Sequence, residues 1–300
     1  MGRLNGRTKM DTILVTGSKG QLGSSLRSQT GTCSDYRFLF ADIDTLDICD
    51  KRALESFVKE NKVNYIINCA AYTAVERAEE DKEKCESINH HAVKNIAEAA
   101  LAIGAKVFHI STDYVFDGRS CVPYKEGDAV CPISIYGKTK RQGEEELLRS
   151  CPDTSIIIRT AWLYSEFGNN FMKTMLRLGA ERTSLPVVFD QVGTPTCAYD
   201  LASALLSILD QSIKGLFIPG IYHYSNEGVC SWYDFAVKIM QLAGLPAKVF
   251  PIESDEYPTK AARPHYSVLN KSRIKSVYNL DIPHWEQSLV LCLNRLKELE

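Results

Sequence analysis

Residues 12–23 read TILVTGSKGQLG. Five mostly apolar, β-favouring residues are followed by Gly17, Gly20 and Gly23, which give the pattern G-x-x-G-x-x-G at the point where a helix is predicted to begin. A glycine pattern alone also fits a simple βα turn. Placed between a strand and a helix, these glycines permit a tight turn and let backbone N–H groups approach a pyrophosphate at the helix N-terminus. The stretch therefore predicts a dinucleotide-binding unit.

The same alternation of strand and helix continues downstream. Four more apolar runs predict strands: RFLFAD (37–42), VNYIIN (63–68), KVFHIS (106–111) and SIIIRT (155–160). Helices are predicted between them at 21–29, 51–61, 86–103 and 138–150. Such alternation favours a parallel sheet with helices on both faces, an α/β, Rossmann-like, doubly wound fold.

The alternation of strands and helices ends after residue 160, where loops rich in aromatic residues, Gly and Asn appear. We expect residues 1–10 to be a disordered extension. Residues 11–160, with about 186–220, are predicted to form the dinucleotide-binding domain. Residues from about 161 to 185 and 221 to 300 are predicted to form a smaller C-terminal α/β substrate-binding lobe, with strands at 185–190 and 221–225 and helices at 231–243 and 284–299.

Composition excludes several classes of protein. The 300 residues are 45% hydrophobic with a net charge of −2, and no long basic stripe predicts nucleic-acid binding. The ten cysteines lie in scattered positions without a Cys-x-x-Cys pair, so we expect free thiols, no metal site and a reducing compartment. No signal peptide or membrane-spanning run is visible, which predicts a cytoplasmic protein without a membrane partner.

Polar residues follow several predicted strands. Asp42 ends the second strand, where an acid takes the adenosine ribose hydroxyls and favours NAD over NADP, unless it is only a turn residue. Lys19 belongs to the glycine loop, and its positive charge could offset the preference that Asp42 gives for NAD. NADPH and NADH therefore both remain candidate cofactors. Ala70 and Ala71 follow the third strand and leave room for a cofactor, although close packing of a turn also explains them.

Tyr136 and Lys140 form a Tyr-x-x-x-Lys pair on one face of a predicted helix. The spacing alone does not decide between chemistry and a solvated helix turn. Ser111 and Thr112 end the fourth strand upstream, and hydroxyls there can bond a substrate oxygen. Downstream of a dinucleotide loop this set predicts Tyr136 as a general acid, with its pKa lowered by the Lys140 charge.

These stretches together resemble the extended short-chain dehydrogenase/reductase family, and within it the reductases of dTDP-linked 4-keto-6-deoxy sugars. The resemblance runs from about Asp11 to the C-terminus. It is carried by TGSKGQLG (16–23), NCAAYTAVERAE (68–79), STDYVFDG (111–118), YGKTK (136–140), RTAWLY (159–164), NNFMKTMLRL (169–178), VFDQVGTPT (188–196), SNEGVCSWYDFA (225–236) and RPHYSVLN (263–270). Cys69 replaces an alanine of the family pattern, and Glu76 stands where the family often has Asp.

The resemblance implies a role for individual residues. Thr112, Tyr136 and Lys140 match the catalytic set. The cofactor-binding set it implies is Gly17, Gly20, Gln21, Leu22, Gly23, Asp42, Asp47, Ile48, Ala71, Tyr72, Thr73, Tyr136 and Lys140. The substrate-binding set is Thr112, Asp113, Trp162 and Arg263. Trp162 also fits a core or hinge aromatic, and Arg263 also fits a surface salt bridge.

The resemblance implies reduction of the C4 keto group of dTDP-4-dehydro-L-rhamnose to dTDP-L-rhamnose, with Tyr136 as proton donor, in a possible homodimer. A second reading is another nucleotide-deoxysugar reductase, an epimerase or a dehydratase. The run Thr112-Asp113-Tyr114 lacks the Glu of the dehydratases, and Gly20-Gln21-Leu22-Gly23 departs from the Gly-Phe-Ile-Gly of the epimerases. A third reading is a non-catalytic cofactor-binding regulatory subunit of the methionine adenosyltransferase type, which would not need the catalytic set.

Overall fold

The computed structural model describes residues 10–31 and 36–299. The predicted disordered extension therefore lies almost wholly outside the described residues. The strands are β1 (Thr12–Thr16), β2 (Arg37–Phe40), β3 (Tyr65–Asn68), β4 (Lys106–Thr112), β5 (Ser155–Thr160), β6 (Leu163–Tyr164), β7 (Ser184–Val188), β8 (Val192–Gly193), β9 (Thr196–Cys197), β10 (Gly220–His223), β11 (Cys230–Ser231) and β12 (Lys248–Ile252). The α-helices are α1 (Gln21–Thr30), α2 (Lys51–Glu60), α3 (Val75–Ala78), α4 (Lys82–Glu86), α5 (Ala92–Ile103), α6 (Ile135–Ser150), α7 (Phe171–Glu181), α8 (Ala198–Ile213), α9 (Trp232–Ala243), α10 (Ser272–Tyr278) and α11 (Trp285–Leu299).

Six parallel strands form the central sheet in the order β10-β5-β4-β3-β1-β2. The chain starts at β1, moves outward to β2, and then returns past β1 to β3 and beyond. The order therefore reverses between β1 and β3, and ligands of open α/β sheets bind at such a switch point, beyond the carboxyl ends of the strands. This arrangement confirms the predicted doubly wound fold.

The two faces of the sheet are covered by different helices because alternate residues of a strand point to opposite sides. Ile13 and Val15 of β1 pack in one core cluster with residues of α1 and α8. Leu14 packs in the other cluster with residues of α2 and α5. All three side chains are fully buried, which explains why β1 is an unbroken apolar run.

A separate apolar cluster joins α7, α9 and α11, with Phe235, Ile239 and Leu289 completely buried. Its strands form two-stranded sheets, β12 with β7 and β11 with β8. β10 continues the central sheet through residue 223, three residues past the predicted boundary at about 220. The division into a dinucleotide-binding domain and a substrate-binding lobe stays a prediction.

The predicted helix at 86–103 is interrupted. A π-helical turn, Ser87–His91, separates α4 from α5, and the Ala92 N–H donates to the Ser87 carbonyl. The wider turn carries Asn89 inward, where its side chain binds both the N–H and the carbonyl of Tyr72 at 2.8 and 3.0 Å. Periodicity did not predict the interruption because the chain stays helical on both sides of the wider turn.

The structure contains, within residues 10–31 and 36–299, no helix with the length and apolar character that a membrane crossing requires. The nine cysteines in this part of the chain are free thiols, as expected.

Candidate active site

A single groove crosses the switch point of the sheet. One part, of about 620 Å³, lies beyond β4 and β5 at the start of α6. The other, of about 490 Å³, follows the ends of β1 and β2. Gly20, Cys69 and Ala71 line both parts, so the two parts are continuous. A two-part groove of this kind fits an extended ligand such as a dinucleotide.

The glycine loop shapes the middle of this groove. Gly17 has φ +63°, and a Cβ atom there would lie 2.6 Å from the backbone of Ala70. α1 begins at Gln21 after Gly20 without a side-chain cap. Its first N–H groups therefore keep no intrahelical or capping partner and suit a phosphate. Gly23 packs against the Gly17 carbonyl and the backbone of Ser18, so its place is beneath the loop rather than in the groove.

Asp42 lies at the end of the groove that is lined by residues after β2. Its carboxylate accepts the backbone N–H of Lys19 at 2.8 Å and that of Ile43 at 2.9 Å. The Lys19 ammonium pairs instead with Asp44 at 2.7 Å. The Lys19 side chain is exposed in this pair, and its effect on the choice between NAD and NADP stays a prediction.

The start of α6 is fixed by local contacts. The Ser134 hydroxyl accepts the Gly137 N–H at 3.1 Å and so caps the helix, which begins three residues before the predicted start. A Cβ atom on Gly137 would lie 2.2 Å from the Tyr114 carbonyl. The absent side chain lets the helix approach β4 closely, and this approach brings Tyr136 and Lys140 to the groove.

Tyr136 is 9% exposed, and its ring meets that of Tyr114 edge to face at 5.4 Å. Burial raises the pKa of the Tyr136 phenol well above its ordinary value, and the Thr112 hydroxyl acts in the opposite direction. Lys140 is not among the largest causes of the shift. The expected lowering of the Tyr136 pKa is therefore wrong, because desolvation dominates.

Lys140 is buried, with 2% of its surface exposed. Its ammonium group donates to the Ile110 carbonyl at 2.6 Å and lies 3.4 Å from Nε2 of His109. Burial lowers the pKa of Lys140 to about 8, and the nearby Glu144 carboxylate only partly opposes this. A lysine with this pKa exchanges a proton easily near neutral pH.

Thr112 and Asp113 follow directly at the end of β4. The Thr112 hydroxyl donates to one Asp113 carboxylate oxygen at 2.9 Å, and the other oxygen is buried without a hydrogen-bond partner. Burial raises the pKa of Asp113 to about 6, although the Thr112 hydroxyl opposes the shift. The unpartnered oxygen can accept a hydrogen bond from a ligand hydroxyl in the groove.

Two stacked indoles form the wall opposite β4. Trp162 has φ +50° and lies on Trp232 with ring centroids 3.6 Å apart. A Cβ atom on Gly193 would lie 2.7 Å from the Trp162 ring. One face of Trp162 is therefore covered by Trp232, and both indoles line the groove. Such a pair offers an apolar wall to the C–H groups of a sugar.

Arg263 lines the groove but already has a protein partner. Its Nε and Nη2 atoms donate to Oε1 of Glu76 at 3.1 and 2.7 Å. The other oxygen of Glu76 accepts the N–H groups of Lys260 and Ala261 at 2.8 and 3.3 Å. Glu76 therefore joins α3 to the segment that carries Arg263, which confirms the salt bridge expected as an alternative for Arg263, and its role in substrate binding stays a prediction.

Nearly all the residues predicted for the site line the groove. The part near β2 contains Gly17, Gly20, Asp42, Asp47, Ile48 and Ala71. The part near α6 contains Gly20, Gln21, Leu22, Ala71, Thr73, Thr112, Asp113, Tyr136, Lys140, Trp162 and Arg263. Gly23 and Tyr72 do not line it; the Tyr72 ring packs instead near Cys85 and Tyr136.

Sequence reasoning missed other residues of the groove and its surroundings. Trp232 and Asn170 line the groove from α9 and the start of α7. Asn170 donates to the Gln21 side chain at 2.9 Å and so connects this region to the glycine loop. Both lie in stretches that carried the family resemblance. His109 was also missed, although its polar side chain inside the apolar run KVFHIS was a signal.

One His/Glu cluster was also missed. Atoms of Glu86, His90 and His91 that could bind a metal lie within 4.8 Å of one another. Glu86 and His91 have side chains 45% and 61% exposed, and none of the three lines the groove. An exposed group of this kind is common as a surface charge cluster, and the expectation of no metal stays a prediction.

Known proteins resemble this chain over almost its whole length. The family described as "RmlD substrate binding domain" matches residues 10–298. The dTDP-4-dehydrorhamnose reductase of Aggregatibacter actinomycetemcomitans is 42% identical over 93% of this chain and 97% of its own length. The enzyme of that name from Escherichia coli K12 is 36% identical, over 95% and 97% of the two chains.

Solved structures of proteins with the same name are also similar to this chain. A dTDP-4-dehydrorhamnose reductase from Clostridium acetobutylicum superposes with a TM-score of 0.90 at 42% identity, covering 95% of this chain and 99% of its own. The enzyme from Bacillus anthracis in complex with NADP superposes with a TM-score of 0.91 at 37% identity, over 96% and 100%. A UDP-glucose 4-epimerase from Brucella ovis with NAD, at 17% identity and a TM-score of 0.80, shares the fold.

Proposed function

Since the chain belongs to the RmlD substrate binding domain family, whose relatives are named dTDP-4-dehydrorhamnose reductases, we propose that it is an NAD(P)H-dependent oxidoreductase that reduces dTDP-4-dehydro-L-rhamnose to dTDP-L-rhamnose. The observation that carries the proposal is the continuous groove. It starts at Asp42, passes the open N-terminus of α1, and ends at Tyr136 and Lys140. The glycine loop and the uncapped helix fit a dinucleotide diphosphate.

The bound reduced nicotinamide supplies the hydride. Tyr136 gives its proton to the oxygen that develops at C4 of the sugar. Its raised pKa suits a group that must hold a proton at neutral pH until the oxyanion forms. Thr112 donates to the same oxygen after releasing Asp113, and Lys140 returns a proton to Tyr136. All four side chains line the same part of the groove.

The sugar nucleotide lies between β4 and the stacked indoles. Asp113 accepts from a sugar hydroxyl with its unpartnered oxygen, and Trp162 packs on the sugar face. Arg263 binds the diphosphate after one of the two hydrogen bonds between Arg263 and Glu76 breaks. The region that holds Trp162, Trp232 and Arg263 then acts as the predicted substrate-binding lobe.

The test is oxidation of NADPH and of NADH with enzymatically made dTDP-4-dehydro-L-rhamnose, followed by identification of the sugar product. Substrate-dependent oxidation that yields dTDP-L-rhamnose supports the proposal and ranks the two cofactors. Protein that binds a cofactor but oxidises neither with this substrate would refute it and favour the regulatory-subunit reading or another deoxysugar.

The role of Tyr136 is tested by Tyr136→Phe. We expect turnover to fall by roughly 10²–10⁴-fold with cofactor affinity retained, because only the transferred proton is removed. Tyr164→Phe is the matched control, since the Tyr164 hydroxyl is buried without a hydrogen-bond partner away from the groove. Unchanged turnover in Tyr136→Phe would remove Tyr136 from the proton-transfer step.

A further inference from the structure

A buried hydrogen-bond chain ends at the catalytic lysine. The Thr16 hydroxyl donates to Oδ1 of Asn68 at 2.7 Å, and Nδ2 of Asn68 lies 3.0 Å from Nδ1 of His109. Nε2 of His109 then lies 3.4 Å from Nζ of Lys140. Asn68 is 1% exposed and His109 is completely buried, so water does not replace these partners.

The direction of this chain is fixed by a backbone group. The Ala70 N–H, which can only donate, lies 3.2 Å from Oδ1 of Asn68. Oδ1 of Asn68 is therefore the acceptor, and its Nδ2 must donate to His109. Nδ1 of His109 accepts, and the ring proton of the neutral imidazole lies on Nε2, facing Lys140.

This orientation has a consequence for Lys140. An ammonium group has only N–H donors, so a charged Lys140 points its protons at the N–H of His109. A neutral amine has a lone pair that accepts from the same N–H. The arrangement therefore favours the amine, whereas the Ile110 carbonyl at 2.6 Å accepts a proton of either form.

The other titratable groups around Lys140 do not replace His109 in this role. Cys69 and Cys85 have raised pKa values through burial and stay neutral thiols. Glu144, one turn along α6, is bound by Arg159 through two hydrogen bonds of 2.7 and 2.8 Å. His109 itself stays neutral because burial and the Lys140 charge lower its pKa well below the ordinary value.

We propose that His109, held in one tautomer by Asn68, is a positioning residue that stabilises the amine form of Lys140 and so lets this lysine release a proton during turnover. The inference rests on the proposed function. After Tyr136 has protonated the sugar oxygen, the Lys140 ammonium gives one proton to the tyrosinate and becomes an amine. The amine accepts from Nε2 of His109 and later takes up one proton from solution through the groove. Each reduction therefore consumes one solvent proton, and Tyr136 and Lys140 return to their starting forms.

The test measures the proton affinity of Lys140 directly. Wild-type protein and His109→Gln are trace-labelled with acetic anhydride across a pH series, and the peptide that contains Lys140 is quantified by mass spectrometry. Only the amine reacts, so the midpoint of the labelling curve reports its pKa. The side-chain carbonyl of the introduced glutamine accepts from an ammonium group, and we expect the midpoint to rise by about one pH unit.

Two further variants complete the test. Asn68→Asp accepts from Nδ1 of His109, leaves Nε2 as an acceptor for the ammonium, and should also raise the midpoint. It supplies the measurement if His109→Gln does not fold. His223→Gln is the matched control, since His223 is another completely buried histidine, bound to the Tyr124 carbonyl and outside the groove. Its midpoint for Lys140 should equal that of wild type.

A midpoint that stays at the wild-type value in folded His109→Gln or folded Asn68→Asp would overturn the inference. Labelling needs no turnover, so this failure is distinct from a failure of the proposed reduction. In active protein, we also expect the alkaline limb of the kcat profile to move upward with the labelling midpoint. A profile that does not move while the labelling midpoint does would also overturn the role in turnover.

Discussion

Helix α6 carries two buried charged side chains one turn apart, Glu144 and Lys140, and among the described residues only Glu144 has a partner of opposite charge. The Glu144 carboxylate is completely buried and receives hydrogen bonds from Arg159 at 2.7 and 2.8 Å and from Arg141 at 3.0 Å. Lys140 is almost as deeply buried, yet no carboxylate of the described residues lies within 4 Å of its ammonium group. Its contacts are a carbonyl and a neutral imidazole.

The difference separates a charge that the fold neutralises from one that has no counter-ion among the described residues, and under the proposed function the second charge serves the ligand. Buried ions are strongly destabilising unless they are paired, and Glu144 is paired on both oxygens. Lys140 is left without a counter-ion beside the groove. Its desolvation is a cost in the free protein that a bound cofactor and the proton-transfer step can use. Four predictions test this contrast, from the largest effect on stability to the smallest.

The first prediction concerns the ion pair between Glu144 and Arg159. Glu144→Gln removes the charge that neutralises Arg159, whose side chain is 1% exposed. Because an uncompensated buried guanidinium remains, we expect the free energy of unfolding to fall by about 3–5 kcal/mol. Urea denaturation measures it.

The neighbouring Glu145→Gln is the control, since Glu145 is 56% exposed and pairs only with Arg141. We expect a change within about 0.5 kcal/mol there. Equal effects of the two substitutions would mean that burial of the Glu144–Arg159 pair does not matter to the fold.

The second prediction removes the unpaired charge. The lowering of the Lys140 pKa from 10.5 to about 8 corresponds to roughly 3 kcal/mol of desolvation cost. Lys140→Met removes this cost but loses the bond to Ile110, so we expect a gain of about 1–2 kcal/mol in unfolding free energy at neutral pH. Turnover should be lost, because Tyr136 can no longer be reprotonated.

The sign of the pH dependence is a separate check. Below pH 8 Lys140 is charged in both the folded and the unfolded states, so the full cost is present. Between pH 8 and 10.5 the unfolded chain binds the extra proton, and wild-type stability rises. The advantage of Lys140→Met should therefore shrink across this window. A loss of stability in Lys140→Met at neutral pH would show that Lys140 supports the fold.

The sequence predicted the groove residues around Lys140 but not the ion pair of Glu144. Tyr136, Lys140 and the glycine loop were visible because local spacing places them on one helix face or in one turn. Glu144 and Arg159 lie on different elements, and nothing in either local pattern indicates that they pair. The same holds for Glu76 with Arg263 and for Trp232 with Trp162, which come together only through tertiary packing.

One expectation about charge failed because residue spacing does not show the depth of burial. The predicted effect of Lys140 on the Tyr136 pKa used the sign of a nearby charge but not the depth of burial, which dominates in the structure. The sequence also did not show that the Lys19 side chain binds Asp44. Residue spacing gives proximity, whereas desolvation and the choice among several partners depend on the folded surroundings.

The third prediction concerns a second unpaired charge in the groove. Burial raises the pKa of Asp113 from 3.8 to about 6, so folding disfavours its ionised form. Asp113→Asn should increase the unfolding free energy by about 1–2 kcal/mol at neutral pH, because the cost of a buried carboxylate is removed. Turnover should fall, since the substrate loses its charged acceptor.

The pH dependence again fixes the sign. The folded protein binds the extra proton between pH 3.8 and about 6, so wild-type stability contributed by Asp113 decreases as pH rises through this window. The advantage of Asp113→Asn should be largest above pH 6 and absent below pH 3.8. Thermal unfolding at several pH values measures this. A constant advantage at every pH would assign the effect to packing instead of ionisation.

The prediction with the smallest expected effect concerns the N-cap of α6, the helix that carries both Lys140 and Glu144. Ser134 caps α6 through the Gly137 N–H, and Ser134→Ala should lower the unfolding free energy by about 1 kcal/mol, as loss of an N-cap does. Asp50→Ala, which removes the cap that the Asp50 side chain gives the Ala53 N–H of α2, is the matched control, since the first turn of α2 does not line the groove. The two variants should differ in catalysis. Tyr136 lies in the first turn of α6, so a frayed turn displaces the proposed proton donor, and kcat should fall in Ser134→Ala. KM for the cofactor should change little, because the glycine loop and α1 are untouched. A fall in kcat of the same size in Asp50→Ala would mean that catalysis follows overall stability and not the position of the first turn of α6.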